Sequence, residues 1–223
     1  MAATHSTTTE DYIVTIYRMW ANREPVLGAR LAEQLGVTAA TVTEMVARLR
    51  ANGLLTQGKR IELSASGLSL ARTLVSRHRL VERFLVDVLG FGWDEVHEEA
   101  HRLEHALSPR VTERLADFLG RPATCPHGHP IMEDGSGEPD LDLSRLTTLG
   151  RGETGVVRRI VHEDSELLSL LTQLGIGLDT EVRVVGTEPY GGPLRIEVTG
   201  APRVIGREAA DMVLVSLGSA NRV

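Results

Sequence analysis

The chain has 223 residues, room for one large domain or two to three small ones, and at 4% aromatic content its core must be built from Leu, Val, Ile and Ala. No run approaches the ~20 apolar residues of a membrane span, "MAATHSTTTEDY" lacks the parts of a signal peptide, and a single cysteine, Cys125, excludes a disulfide framework, so a soluble cytoplasmic protein is expected. The net charge of −6 argues against nucleic acid until it is divided: residues 1–72 hold 8 Arg/Lys against 6 Asp/Glu, residues 73–139 hold 7 against 12, and residues 140–223 hold 9 against 12.

In chain order, "TEDYIVTIYRMWAN" (9–22) places Ile13, Ile16, Tyr17 and Trp20 at helical spacing behind a threonine cap signal. "GARLAEQLG" (28–36) reads as a short helix and "TAATVTEMVARLRANG" (38–53) as a second, capped by Thr38 and stopped by Gly53. Joined through "GVT", they form a helix-turn-helix pattern whose second helix can enter a DNA major groove. "LLTQGKRIELSASG" then reads as a small hairpin, or wing, with the only lysine of the chain, Lys59, at its tip beside Arg60. Short side chains on the second helix (Thr38, Ala40, Thr41, Thr43) let it approach bases, and tip cations suit phosphates. Glu44 repels phosphate unless it accepts from a cytosine amino group. The plain alternative is a helical core with a hairpin attached.

A long helix is expected over 66–90, a second over about 94–107 and a third over about 109–119. "PATCPHGHPIMEDGSGEPD" (122–140) reads as a loop or linker. Four β-like runs follow, "TGVVRRIV", "EVRVVG", "LRIEVTG" and "DMVLVSL", with the helix "SELLSLLTQLG" between the first two, which suggests a small barrel.

Six of the eight histidines lie between residues 78 and 129. "HEEAH" (97–101) matches H-E-x-x-H, in which two histidines one turn apart hold zinc and the glutamate is a general base. The extended protease motif fails on spacing, because Leu107 stands where its third ligand belongs. On a helix, His97, His101, Glu104 and His105 share about a quarter of the circumference, bordering an apolar face of Val96, Ala100, Leu103 and Leu107. His101, Glu104 and His105 can be completed from other helices: His78 and Glu82 lie one turn apart, and Glu10 or Asp11 can add a carboxylate. A solvated acidic face with incidental histidines is the bland alternative, and for "CPHGHP" it is a plain loop turn.

"TTEDYIVTIYRM", "LAEQLGVTAATVTEMVARLRANGL", "LSASGLSLA", "RHRLVERFL", "WDEVHEEAHRLEHALS" and "PHGHPI" fall in an order and spacing that resembles the diphtheria toxin repressor (DtxR/MntR) family of iron- and manganese-dependent regulators, over nearly the whole chain. The resemblance implies a mainly α, multi-domain protein: an N-terminal winged helix-turn-helix (1–72), a helical metal-binding and dimerisation domain (73–140) and a C-terminal SH3-like, FeoA-type β-barrel (141–223). It implies a primary metal site at Asp11, His101, Glu104 and His105, and an ancillary site at His78, Glu82 and His97. Some manganese-responsive relatives instead combine the glutamate matching Glu82 with a Cys-Pro-His loop and a barrel acid, here Cys125, His127 and Asp164, with Glu163 or Glu166 as neighbours. His129 is left unassigned.

Iron-type members have methionine where Asp11 stands, so the aspartate points to the manganese branch, and a hard carboxylate suits Mn(II) better than a thioether does. The chain departs from the family at His101, where iron-type members have cysteine and manganese-type members glutamate, and at Val14, where members with a paired site have a second glutamate. A second imidazole keeps Fe(II), Co(II) and Zn(II) in contention. Proline is frequent in the family at Ala40, so a thymine-methyl contact there is weakened. The resemblance implies a non-enzymatic repressor that binds a palindromic operator as a homodimer, with no membrane role. Its rivals are a zinc hydrolase using His97, His101 and Glu98, and a metal-buffering or interaction protein without sequence-specific DNA binding.

Overall fold

The computed structural model describes residues 5–132 and 142–217; the expected linker over 122–140 therefore lies partly outside the described residues. The chain divides into two compact units, the first reaching His78 and including Met132, the second holding Arg79–Ile131 and the residues from 142 onward.

The first unit opens with α1 (Thr7–Ala21). Its cap is Ser6, whose hydroxyl accepts from the Thr9 N–H, rather than a threonine. Tyr12, Ile13, Ile16, Tyr17 and Met19 are buried, while Trp20, expected on that face, is half exposed. Next come α2 (Gly28–Gln34) and α3 (Ala39–Ala51), and Thr38 caps α3 by accepting from the Thr41 N–H. Leu31, Val42, Val46 and Leu49 from this pair join the α1 residues in one core. The wing is slighter than the expected hairpin. One antiparallel bridge joins Leu55 to Leu63, and the Thr56 N–H donates to the Glu62 carbonyl at 2.9 Å.

Helix α4 (Ala65–Asp87) runs through the expected domain boundary at 72/73 without a break. Ala71, Leu74 and Val75 at its start complete the first core, and Val81 and Leu85 further along belong to another. One continuous helix thus serves two cores, which a search for linkers cannot detect.

In the second unit, α5 (Val96–Glu104) and α6 (Pro109–Phe118) follow. Val96 and Ala100 pack on Val81 and Leu85. The third turn departs from the expected face: Leu103 is exposed and Glu104 is buried. Helix α6 is amphipathic, yet no residue of it is buried, and Val111 and Phe118 stand exposed.

The C-terminal part is a six-stranded antiparallel sheet in the order β1-β6-β2-β3-β4-β5: β1 (Ser144–Arg145), β2 (Thr154–Ile160), β3 (Glu181–Thr187), β4 (Leu194–Val198), β5 (Ala201–Ile205) and β6 (Val213–Leu217). Alternation puts Val157, Val182, Val184, Ile196, Val198, Val213 and Val215 into one core, against Leu168 and Leu171 of α7 (Ser165–Leu174). Two strands beyond the expected four appear. Strand β1 is two residues long, and β5 is a Pro-bearing edge strand with three consecutive exposed residues, a pattern without alternation. A last short helix, α8, spans Arg207–Asp211.

Candidate metal centre and nucleic-acid face

At the end of α5, Glu104 is buried and its carboxylate Oε1 lies 3.0 Å from His101 Nδ1 and 3.7 Å from His105 Nε2. The two imidazoles meet edge to face, 5.0 Å between centroids. A single turn of helix thus gathers a carboxylate and two imidazoles, His101 being exposed and His105 partly so. Asp11 stands on α1 in the first unit, partly buried. Its neighbour Glu10 is engaged in a 2.7 Å ion pair with Arg77.

The second cluster is assembled from distant parts of the sequence. Glu82 comes from α4, His97 from the first turn of α5, Cys125 and His127 from the loop after α6, and Glu163 from the turn before α7. Glu82, Cys125 and His127 have no exposed surface. Donor atoms of Glu82, Cys125, His127 and Glu163 lie within 4.8 Å of one another. His97 Nδ1 is 3.1 Å from Glu82 Oε1 and 3.5 Å from Glu163 Oε2. His127 Nδ1 is 3.7 Å from Glu82 Oε2 and 3.6 Å from Glu163 Oε1. His78 lies one turn before Glu82 on α4, on the same helical face.

Local structure fixes each donor. The His127 Nε2–H donates to the Trp93 carbonyl at 2.7 Å, which leaves Nδ1 facing the carboxylates. The Trp93 ring stacks on that imidazole, and its indole N–H donates to Thr172 Oγ1 on α7 at 2.6 Å. The loop itself is ordered by the Cys125 N–H donating to the His129 carbonyl (2.8 Å), and the Ile160 N–H of β2 donates to the His127 carbonyl (3.0 Å). Gly128, at φ +86°, is obligatory here: a Cβ would come within 2.0 Å of the Arg158 carbonyl oxygen.

Burial alone would push the His127 imidazole down. The Cys125 thiol and the carboxylates of Glu163 and Glu82 beside it outweigh burial and raise it. Burial pushes the Cys125 thiol up, and Glu82 and Glu163 add to that while His127 opposes it. A site without a metal therefore carries these protons.

Thiol, imidazole and carboxylate donors in one buried group suit a divalent transition metal, whereas calcium and magnesium sites are built from oxygen. When bound, such an ion would supply positive charge between the buried carboxylate of Glu82 and the partly buried one of Glu163.

Three expectations change against this geometry. Asp164 does not join the cluster: it is the N-cap of α7, accepting from the Glu166 and Leu167 N–H groups, and its neighbour Glu163 supplies the acid. His129, unassigned from sequence, has Nε2 3.6 Å from Glu163 Oε1. The zinc-hydrolase pairing is divided, because His97 turns to Glu82 and His101 to Glu104, while Glu98 is exposed and pairs with Arg102 at 3.6 Å. Trp93 was not singled out from sequence; an indole at a loop carries no metal signal, and its part is played largely through its carbonyl.

On the first unit, Thr38, Ala40, Thr41, Thr43 and Glu44 are all exposed on α3, and Lys59 and Arg60 are exposed at the wing tip. The Thr43 hydroxyl donates back to the Ala39 carbonyl at 2.9 Å, which frees its methyl group for apolar contact. Sequence reasoning missed Arg50, whose guanidinium donates to the Thr56 and Arg60 carbonyls and braces the wing against α3.

Family models match along the chain: "iron dependent repressor, N-terminal DNA binding domain" over residues 5–61, "iron dependent repressor, metal binding and dimerisation domain" over 64–133, and "FeoA domain" over 144–217. The iron-dependent repressor IdeR of Mycobacterium tuberculosis is 41% identical over 199 residues, covering 83% of this chain and 86% of that protein. The diphtheria toxin repressor of Corynebacterium diphtheriae is 33% identical over 184 residues, covering 79% and 81%. Among solved structures, a manganese-dependent transcriptional repressor in complex with manganese superposes with TM-score 0.85 at 36% identity, covering 94% of this chain and all of that one. ScaR with bound Cd2+ gives 0.79 at 30% identity, covering 93% and 98%.

Proposed function

The chain belongs to the diphtheria toxin repressor family, and from that premise we propose that it is a metal-dependent transcriptional repressor that binds a palindromic operator as a homodimer. The observation that carries the reading is the turn at the end of α5, where Glu104 is buried between His101 and His105. A carboxylate withdrawn from water beside two imidazoles is a costly arrangement that a bound cation stabilises. The family consists of DNA-binding repressors, so HEEAH is no protease motif here.

In this reading residues 1–72 read DNA, residues 73–140 bind metal and pair the subunits, and residues 141–223 form the SH3-like module. Asp11 joins His101, Glu104 and His105 around one ion, as the family resemblance implies. Binding ties the N-terminal helix to the helical domain, and the ordering cost of the reading heads is met before DNA arrives. By linkage, operator DNA tightens metal binding by the same factor. The apolar residues that α6 and its neighbours leave exposed, Val111, Phe118, Leu103 and Leu89, form the surface that a second copy covers.

Mn(II) is the activating metal we assign, on the hard carboxylates of Asp11 and Glu104 and the absence of sulfur from that set. The second imidazole, His101, extends the set toward Fe(II), Co(II) and Zn(II), with Fe(II) the nearest rival. Among the described residues no helix is long and apolar enough to cross a membrane, and a repressor of this kind works in the cytoplasm. Thr38, Thr41, Thr43 and Glu44 face base edges, Ala40 a thymine methyl, and Lys59 and Arg60 phosphates. The test is operator binding by the metal-loaded protein: Asp11→Ala abolishes the metal requirement's benefit, whereas retention of full metal-dependent affinity in that variant removes the proposal.

A further inference from the structure

Helix α3 lies within the DNA-binding domain, and its two sides differ in chemistry. Val42, Met45, Val46 and Leu49 are buried. At about 100° per residue, Ala40, Glu44, Ala47 and Ala51 fall on the opposite side, and all four are exposed. Among these four, Glu44 alone carries a polar group. Among the described residues, no hydrogen bond or ion pair engages it.

The other polar groups of the helix are occupied within the protein. The Thr38 and Thr41 hydroxyls bond to each other at 2.9 Å, and the Thr43 hydroxyl donates to the Ala39 carbonyl. The Arg48 guanidinium donates to Thr9 Oγ1 of α1 at 3.3 Å. That of Arg50 donates to the Thr56 and Arg60 carbonyls at the wing. The helix thus brings one unengaged polar group to a major groove, and that group is an acceptor.

A carboxylate among phosphates is repelled unless a base donates to it. Guanine shows the acceptors N7 and O6 in the major groove, thymine shows O4, and adenine shows N7 beside its amino group. Cytosine alone presents an amino donor with no acceptor on its own edge. A carboxylate is therefore repelled by guanine and thymine, meets a mixed edge at adenine, and is satisfied at cytosine. The flanking alanines leave room for the helix backbone to approach. Glu44 selects as much by what it rejects as by what it binds.

We propose that Glu44 fixes a cytosine at one position of each operator half-site, its carboxylate accepting from the cytosine amino group. The inference rests on the repressor reading above and deepens it, by naming a base that the operator must contain.

The experiment selects from a random DNA pool on the full chain loaded with Mn(II), comparing the wild type with Glu44→Gln and Glu44→Ala. Glu44 is exposed and unengaged, so the three proteins should melt at the same temperature. The wild type enriches a palindrome with an invariant cytosine in each half-site, and any other base there weakens binding by roughly 5- to 100-fold. A glutamine pairs with N6 and N7 of adenine, so Glu44→Gln enriches adenine at the same position and leaves the rest of the palindrome unchanged. Glu44→Ala loses the preference there and binds unrelated duplex DNA more tightly, because a charge that repelled phosphate is gone. A merely structural role would weaken specific and unrelated binding together. A palindrome in which the wild type fixes no cytosine, or whose bases are the same for Glu44→Gln, overturns the proposal and leaves metal-dependent DNA binding standing. Selection of no palindrome by any of the three proteins brings down the repressor reading, and this inference with it.

Discussion

The two donor clusters of the second unit are built on opposite principles. At the end of α5 one helical turn supplies His101, Glu104 and His105, local in sequence and partly open to water. The deeper cluster draws Glu82, His97, Cys125, His127 and Glu163 from four separated segments and holds them by packing, a loop glycine and a backbone carbonyl. A turn that offers three donors on its own needs a further donor from elsewhere, and that need makes it suited to reporting metal. A cluster already closed by its own fold has its donors in place before any ion arrives and, in the proposed reading, would hold metal rather than report it. HEEAH contributes one histidine to each, which is why a five-residue motif misleads here.

The largest effect that would break this comparison is at Glu104. Glu104→Ala removes the buried carboxylate between two imidazoles and should lower metal-dependent operator affinity by roughly a hundredfold or more, measured by fluorescence anisotropy with and without Mn(II). The same experiment on Cys125→Ser should change operator affinity by less than about tenfold, because that residue belongs to the holding cluster. Equal losses in the two variants would erase the distinction.

A structural prediction sharpens the preorganised side. Gly128→Ala meets the Arg158 carbonyl and forces a left-handed backbone on alanine, and should destabilise the protein by about 2–4 kcal/mol in urea unfolding. Loss of the Thr38 cap in Thr38→Ala, by contrast, should cost about 1 kcal/mol.

The protons on the deep cluster set the sign of its pH response. Both His127 and Cys125 are raised, so each holds its proton at neutral pH in the metal-free protein. Metal must displace those protons, and affinity therefore rises with pH. The raised imidazole has the opposite effect on the metal-free fold: its contribution is fully present below the unfolded histidine value and is lost as pH rises through the folded one. Calorimetric titration in buffers of different ionisation enthalpy should register proton release in the wild type and less of it in Cys125→Ser. The smallest effect is at the wing, where Lys59→Ala should weaken binding uniformly across sequences and reduce the salt slope by about one.

Much of this was legible from residue pattern. Periodicity located α1 through α7 because each has an apolar stripe, and Thr38 announced its helix as a cap, whereas the Ser108 cap of α6 came only with the structure. Strand β5 escaped because an edge strand with Pro202 and exposed neighbours has no alternation to read. The α5 donors were visible because helical spacing is itself a distance. The deep cluster was not, beyond the resemblance, because its members meet only through tertiary folding. Choosing between Glu163 and Asp164 turned on one residue of phase, and the need of α7 for a cap decided it: the aspartate accepts the helix N–H groups and the glutamate is turned inward.

The most direct test of the account is a selection of genomic fragments on the purified full chain, one arm with Mn(II) and one with chelator. The account predicts a palindrome enriched only in the Mn(II) arm and lost in Glu104→Ala. Enrichment of the same palindrome in both arms, or of none in either, would contradict it.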